Sequence, residues 1–325
     1  METGRLKSVD LAGGGVLILW IMAFHAMNNC KVFGNADVRV VIPFLTFSMP
    51  WFFYRSGQFF KELPLREGVA KDVCKLLRPF AVWSAVGYAV YLMMMAAAGE
   101  FSWQRCVWDA AATFGVYGYI PIDVPAWFLV SLFFVRAISR LLLRTAVPPV
   151  AAAAVCIAAG FALHLTGNPL PFYIPNVLMG IAFFMIGYRF GRIEGNRALL
   201  AVCLAGYAAF LIWGCSIVGH HRNILLTGYY LLWPLFAYCG IVAFNNLCRM
   251  AYATASARAM RVLQPLAFIG ENSMTLLVAH ALVYYPVIYF STLTPWQSVG
   301  VIFAGYVLLL TPLLLLKRRK NASRT

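Results

Sequence analysis

The amino-acid sequence predicts an all-α, polytopic membrane helix bundle of about ten transmembrane helices. The first observation is composition: 62% of the 325 residues are hydrophobic and 11% are charged, and the mean hydropathy is +0.78. The second is that long apolar runs recur along the whole chain. A backbone in lipid must satisfy its own hydrogen bonds, so such runs form helices.

The third observation is the distribution of positive charge, which also sets the expected orientation. If both termini are cytoplasmic, 21 of the 26 Lys and Arg residues fall in inner segments and 4 in outer ones. This bias is typical of membrane proteins, whose basic loops stay in the cytoplasm. The net charge of +15 is therefore explained by topology and by contact with membrane lipids. The chain carries no nucleic-acid recognition motif, and we predict no nucleic-acid partner.

The predicted spans follow the apolar runs in order. They cover residues 10–30, 38–60, 76–98, 125–143, 147–166, 172–190, 198–218, 224–245, 266–290 and 298–316. The stretch 105–122 is also apolar, but it carries Arg105 and Asp109, so we expect an outer loop with a re-entrant or interfacial piece. Residues 1–317 are expected to form one membrane domain, and residues 318–325 a basic cytoplasmic tail.

The first span has an ionisable residue at each end of its apolar run. Asp10 stands at the start, and His25 lies roughly 22 Å further along the helix, well inside a hydrocarbon core of roughly 30 Å. An ionisable side chain at that depth is costly and marks a functional site by default. A neutral histidine bonded to a neighbouring helix is the structural alternative.

Two later segments add polar residues to apolar spans. The second span ends MPWFFYRSGQFF, with Arg55 inside the span and Ser56 beside a glycine that permits close helix packing. The segment FIGENSMTLLVAHALV has Glu271 at a predicted helix start, with Asn272 or Ser273 as the cap, and His280 further along.

Two groups of basic side chains, spaced by about one helical turn, are expected to face the cytoplasm. Their members are Lys71, Lys75, Arg78, Arg136, Arg140 and Arg144. Topology and anionic lipid explain these groups, and a binding site for a polyanion such as a phosphorylated cofactor is the alternative. The eight cysteines are scattered without a CxxC pair, so the sequence predicts neither a disulfide framework nor a metal site.

Six segments occur in the order typical of the acyltransferase-3 family of membrane O-acyltransferases. They are the helix from Asp10 to His25, MPWFFYRSGQFF, the basic run before Pro79, AWFLVSLFF, IPNVLMGIAFFMIGYRFGR and FIGENSMTLLVAHALV. The chain resembles this family over nearly its whole length. The resemblance implies ten membrane helices and acyl-coenzyme A, commonly acetyl-coenzyme A, as the donor at the cytoplasmic side. It also implies transfer to a hydroxyl of a glycan or lipid-linked sugar, as in polysaccharide O-acetylation, and we expect the bacterial inner membrane.

His25 falls on the family's essential histidine, but two positions depart from the family's pattern. Gly14 stands where relatives usually carry a basic residue, and Asp72 stands where one of two paired arginines is expected. Arg55 in turn replaces an apolar residue. Gly14 and Arg55 lie roughly 6 and 9 Å from the inner face on antiparallel helices. We therefore expect Arg55 to supply the missing charge, beside Asp10 or the donor thioester. The alternative is that Arg55 extends to the inner membrane surface and only anchors its helix.

The mechanism predicted from these residues is general-base catalysis by His25. An imidazole has a pKa of about 6.5 in water and can take the proton of an attacking hydroxyl. The supporting candidates are Asp10, Arg55, Ser56, Glu271, Ser273 and His280. The candidates for binding donor phosphates are Lys71, Lys75, Arg78, Arg136 and Arg140.

Other functions remain open at this point. A covalent acyl-enzyme is a second mechanism, although no Ser or Cys has an evident base beside it in sequence. A transporter or glycolipid flippase would use His25 and Arg55 as relay or substrate groups. A receptor or assembly subunit would need no buried histidine.

Overall fold

The structure is a computed structural model that describes residues 2–166, 174–191, 196–212 and 232–315. Every regular element within these ranges is helical. The α-helices are α1 (Glu2–Asn29), α2 (Val38–Val41), α3 (Ser48–Gln58), α4 (Leu65–Asp72), α5 (Arg78–Ala97), α6 (Trp103–Tyr117), α7 (Trp127–Leu142), α8 (Pro149–Thr166), α9 (Ile174–Phe190), α10 (Arg197–Ile212), α11 (Leu232–Ala253), α12 (Ala257–Glu271), α13 (Ser273–Ala279), α14 (Ala281–Phe290) and α15 (Pro295–Gly305).

Several helical runs have the length and hydropathy of membrane spans, which confirms the helical membrane class. Five are long enough to cross a bilayer: Ser8–Asn29, Leu65–Ala97, Val124–Leu142, Ser273–Phe290 and Pro295–Leu315. The total of about ten spans and the cytoplasmic position of both termini stay predictions. The tail 318–325 lies outside the described residues, as do parts of the predicted spans 172–190, 198–218, 224–245 and 298–316.

The prediction of one continuous span over 38–60 is wrong. The segment consists of α2, a 3-10 turn at Pro43–Leu45 and α3. Pro43 has no N–H with which to continue a helix. The Thr46 N–H donates to the Pro43 carbonyl oxygen, only three residues earlier (3.4 Å), which is the pattern of a 3-10 turn. α3 has 11 residues. It is therefore roughly 16 Å long, about half the hydrocarbon thickness.

The predicted span 76–98 begins earlier than expected. Its helix starts at α4 and continues through one π-helical turn, Val73–Leu77, into α5. Pro79 cannot donate to the Lys75 carbonyl, and the widened turn gives the proline ring room.

The predicted span 266–290 is interrupted at Asn272, which separates α12 from α13. α13 and α14 join at His280, whose backbone stays helical (φ -66°, ψ -27°). Asn272 occupies the N-cap position of α13, but its side chain donates back to the Phe268 carbonyl (2.9 Å). Glu271 ends α12, and α13 begins at Ser273 with Asn272 in the N-cap position that the sequence predicted.

The stretch 105–122 forms most of α6, which ends before Gly118 in the left-handed conformation (φ 76°). Trp103 and Trp108 are exposed on this helix, and Asp109 accepts a hydrogen bond from the Tyr91 hydroxyl of α5 (2.6 Å). Exposed tryptophans are typical of the membrane–water interface, so an interfacial position for α6 stays our prediction.

Glycines allow the closest helix contacts of the bundle. α1 packs along α12, where a Cβ on Gly15 would overlap the Leu266 carbonyl oxygen, and Gly270 faces the α1 backbone equally closely. α3 crosses α9 in the same way at Gly57 and Gly187. These contacts hold α1 and α3, which carry Asp10, His25, Arg55 and Ser56.

Candidate active site

His25 and His280 form a direct hydrogen bond between α1 and the junction of α13 and α14. The Nδ1 atom of His25 lies 2.8 Å from the Nε2 atom of His280. The ring planes differ by 4° and the ring centres are 5.0 Å apart. Because the two nitrogens are in contact while the ring centres are 5.0 Å apart, the rings lie edge to edge in nearly one plane. An N–H···N hydrogen bond requires this arrangement.

The surroundings of this histidine pair are apolar and aromatic. His280 is 0% exposed, and its Nδ1 atom lies 2.9 Å from the Leu276 carbonyl oxygen. Tyr284 and Tyr306 have ring centres 5.6 and 6.2 Å from that of His280. His25 is half-buried, so one member of the pair remains reachable.

A second polar cluster lies near the other end of α1 and centres on Arg55, whose side chain is 7% exposed. Arg55 forms an ion pair with Asp10 of α1 and a hydrogen bond with Gln58. Its Nη2 atom also donates to Asn245 Oδ1 of α11 (3.0 Å), which accepts a second bond from Trp51 Nε1 (2.7 Å). The guanidinium is therefore held by three helices and does not extend to the membrane surface as an anchoring arginine would.

Gly14 lies beside the same tryptophan ring. A Cβ on Gly14 would be 3.4 Å from the Trp51 ring, an ordinary van der Waals contact. The Arg55 guanidinium lies 5.3 Å from the ring centre. The structure thus brings Asp10, Gly14 and Arg55 together around Trp51.

The third cluster joins α4 and α7 through one carboxylate. Asp72 accepts hydrogen bonds from Arg136 Nε (2.8 Å) and Arg140 Nη2 (3.1 Å). The Phe60 ring lies against both guanidinium groups, at 5.4 and 4.6 Å. Arg136 also donates to Ser56 Oγ (2.9 Å), so Ser56 belongs to this cluster and not to the histidine pair.

The predicted donor-phosphate residues fall into two environments. Lys71, Lys75 and Arg78 are exposed. Arg136 is 23% exposed, and Arg140 is 3% exposed beside Asp72. Helical spacing could not reveal this, because the burial of Arg140 depends on Asp72 from a different helix.

Residues 15–317 match the model of one protein family, Acyl_transf_3, which is described as an acyltransferase domain. The chain belongs to the acyltransferase-3 family. The match includes His25, His280 and the cluster around Asp72, whereas Asp10 and Gly14 precede it. No curated protein and no solved structure matches the chain.

Two further candidates of this acyltransferase-3 protein lie at the junction of α12 and α13. Glu271 is exposed at the end of α12, and Ser273 is buried at the start of α13. Within the described ranges, no group of three His, Cys, Asp or Glu side chains could hold a metal ion.

Two residues of these clusters were not singled out from the sequence of the acyltransferase-3 protein. Asn245 is a polar residue in an apolar helix, and such residues often bond across membrane helices, so its signal was present but overlooked. Leu276 contributes only its backbone carbonyl, which no side-chain pattern marks.

Proposed function

We propose that this protein is an integral membrane O-acyltransferase that moves an acyl group, acetyl in the simplest case, from acyl-coenzyme A to a hydroxyl of a glycan or lipid-linked sugar. The observation that carries this proposal is the hydrogen-bonded pair of His25 and His280 inside an acyltransferase-3 bundle. A base held in place among apolar helices suits the activation of a hydroxyl. Family membership favours acyl transfer over a transporter that would use the same residues.

His25 acts as the general base. A hydroxyl oxygen is a weak nucleophile, and moving its proton to His25 during attack on the thioester carbonyl raises the rate by roughly 10²- to 10⁴-fold. The tetrahedral intermediate then expels the coenzyme A thiolate, which takes the proton back from the imidazolium. The O–H and C–S bonds break, the C–O and S–H bonds form, and His25 returns to its neutral form.

The basic groups near α4 and α7 bind the phosphates of the donor. Lys71, Lys75 and Arg78 are exposed to the solvent beside this region. Among the described residues, Arg140 Nε and Nη1 have no hydrogen-bond partner, and Arg140 lines a cavity of about 210 Å³ together with Arg144. Planar N–H donors next to a cavity suit phosphate oxygens.

The donor and the acceptor approach the reaction centre from different levels of the bundle. Asp10 and His25 are roughly 22 Å apart along α1. The donor therefore extends its flexible arm through the bundle toward His25 while its phosphates stay at the cytoplasmic side. The acceptor hydroxyl reaches His25 from the outer side of the bacterial inner membrane, which places acyl transfer across the bilayer.

The test is transfer of radiolabel in membranes that contain the protein. Supplied with radiolabelled acetyl-coenzyme A, wild-type membranes should move label to a glycan or lipid-linked sugar. His25→Ala should lower this transfer by roughly 10²- to 10⁴-fold without changing the amount of inserted protein. Leu19→Ala changes an exposed residue of the same helix and is the matched control.

Two outcomes would contradict the proposal. Movement of a glycan across the membrane without any transfer of label would establish a transporter instead. Near-normal transfer by His25→Ala would remove His25 from the mechanism.

A further inference from the structure

The protonation of His280 follows from its contact with Leu276. The His280 Nδ1 atom lies 2.9 Å from the Leu276 carbonyl oxygen. A carbonyl oxygen only accepts hydrogen bonds, so Nδ1 of His280 carries the hydrogen. In a neutral ring the other nitrogen, Nε2, then carries a lone pair.

The protonation of His280 also determines that of His25. The His280 Nε2 atom lies 2.8 Å from His25 Nδ1, in a nearly coplanar arrangement of the rings. Because Nε2 of His280 accepts, Nδ1 of His25 donates. The lone pair of neutral His25 is therefore on Nε2, the nitrogen that faces away from His280.

We propose that His280 is a positioning residue that sets the tautomer of His25 and stabilises the imidazolium formed during acyl transfer. This inference rests on the function proposed above. When the O–H bond of the acceptor breaks, its proton forms an N–H bond at His25 Nε2. The positive charge then strengthens the bond from His25 Nδ1 to His280 Nε2, and it disappears when the proton passes to the leaving thiolate.

A neutral hydrogen-bond partner for His25 suits the apolar and aromatic surroundings of the histidine pair. The residues next to His280 include Tyr284 and Tyr306, and His280 itself is fully buried. A carboxylate in this position would have to be buried as a charge whenever His25 is neutral, which is costly without a cation. A histidine held by a backbone carbonyl orients His25 without that cost.

Two substitutions of His280 separate positioning from packing. His280→Gln keeps an acceptor oxygen near the place of Nε2, whereas His280→Leu fills similar space without any acceptor. We expect His280→Leu to lower kcat by roughly 10- to 100-fold with an unchanged KM for the donor, and His280→Gln to recover much of the rate. Equal rates in wild type and His280→Leu, or equal losses in both variants, would overturn the proposal.

Nitrogen NMR of ¹⁵N-histidine-labelled protein tests the tautomer without relying on activity. The chain has five histidines, and the variants His25→Gln and His280→Gln assign the two signals. We expect both rings to be neutral with hydrogen on Nδ1, the reverse of the form that free histidine prefers in water. His280→Leu should release this restriction at His25.

The role of His280 and the proposed function are contradicted by different results. An Nε2–H form of either ring in the wild-type protein, or an unchanged His25 signal in His280→Leu, would contradict the role of His280. Failure of the wild-type protein to transfer label from acetyl-coenzyme A would refute the proposed function, while the NMR result would still decide the arrangement of the histidine pair.

Discussion

Arg55 of α3 and Asp10 of α1 form an ion pair inside the bundle, with side chains that are 7% and 14% exposed. Asn245 of α11 accepts a further hydrogen bond from the same guanidinium. Removing one partner of such a pair leaves a buried charge and costs roughly 3–5 kcal/mol, so the pair ties these helices together. It also holds a positive charge close to Gly14, where the family resemblance leads us to expect a basic residue.

The first prediction exchanges the position of this charge between α1 and α3. Arg55→Leu should inactivate the enzyme, because Asp10 loses its cation. Arg55→Leu combined with Gly14→Arg should recover part of the activity, since a side chain at position 14 starts 3.4 Å from the Trp51 ring on which the guanidinium now rests. Label transfer by equal amounts of inserted protein is the measurement. A fully active Arg55→Leu single variant would disprove the role of Arg55.

The second prediction concerns the exposed basic residues of α4 and α5. Replacing Lys75 and Arg78 together by Gln should raise the KM for acetyl-coenzyme A and leave kcat largely unchanged, because these residues bind phosphates far from the reacting atoms. Arg105→Gln, on α6, is a control for the loss of exposed charge and should not change the KM. If the double variant keeps its donor KM and only membrane orientation or yield suffers, these residues serve topology alone.

The third prediction concerns the carboxylate that joins Arg136 and Arg140. Asp72→Asn should lower the free energy of unfolding in detergent by roughly 3–5 kcal/mol, because the Arg140 charge stays buried without a counter-charge. Glu100→Gln removes an exposed ion pair with Arg105 and should cost less than about 1 kcal/mol. Denaturant titration of both variants is the measurement. Equal midpoints for Asp72→Asn and wild type would show that Asp72 does not stabilise the contact between α4 and α7.

The fourth prediction compares neighbouring glycines of α1. Gly15→Ala should lower the yield of folded protein strongly, because the new methyl group would overlap the Leu266 backbone of α12. Gly14→Ala should be tolerated, since its methyl group meets the Trp51 ring and the Gly270 Cα atom at ordinary distances. Detergent-extracted yield and thermal midpoint measure the difference. Similar behaviour of the two variants would mean that α1 and α12 are not in close contact.

Much of the protein could be predicted from its sequence because the relevant signals are local. The length and hydropathy of the apolar runs indicate membrane helices wherever they occur, and six ordered segments indicated the family that the match over 15–317 confirms. The depth of His25 follows from its position in the first helix. Hydropathy cannot detect helix breaks at Pro43 and Asn272, because apolar residues score alike whether or not the backbone continues as a helix.

The pairing of most of the polar side chains was decided only by the tertiary structure. His25 and His280 are 255 residues apart in sequence, Arg140 and Asp72 are 68 apart, and Arg55 and Asp10 are 45 apart. The sequence showed the members of the first two pairs without indicating that they meet. It offered Asp10 as one of two expected partners of Arg55, and the structure places Arg55 against Asp10. Which side chains meet depends on how closely the helices approach and how they are rotated, and both depend on packing between distant segments, such as the contact of Gly15 with α12.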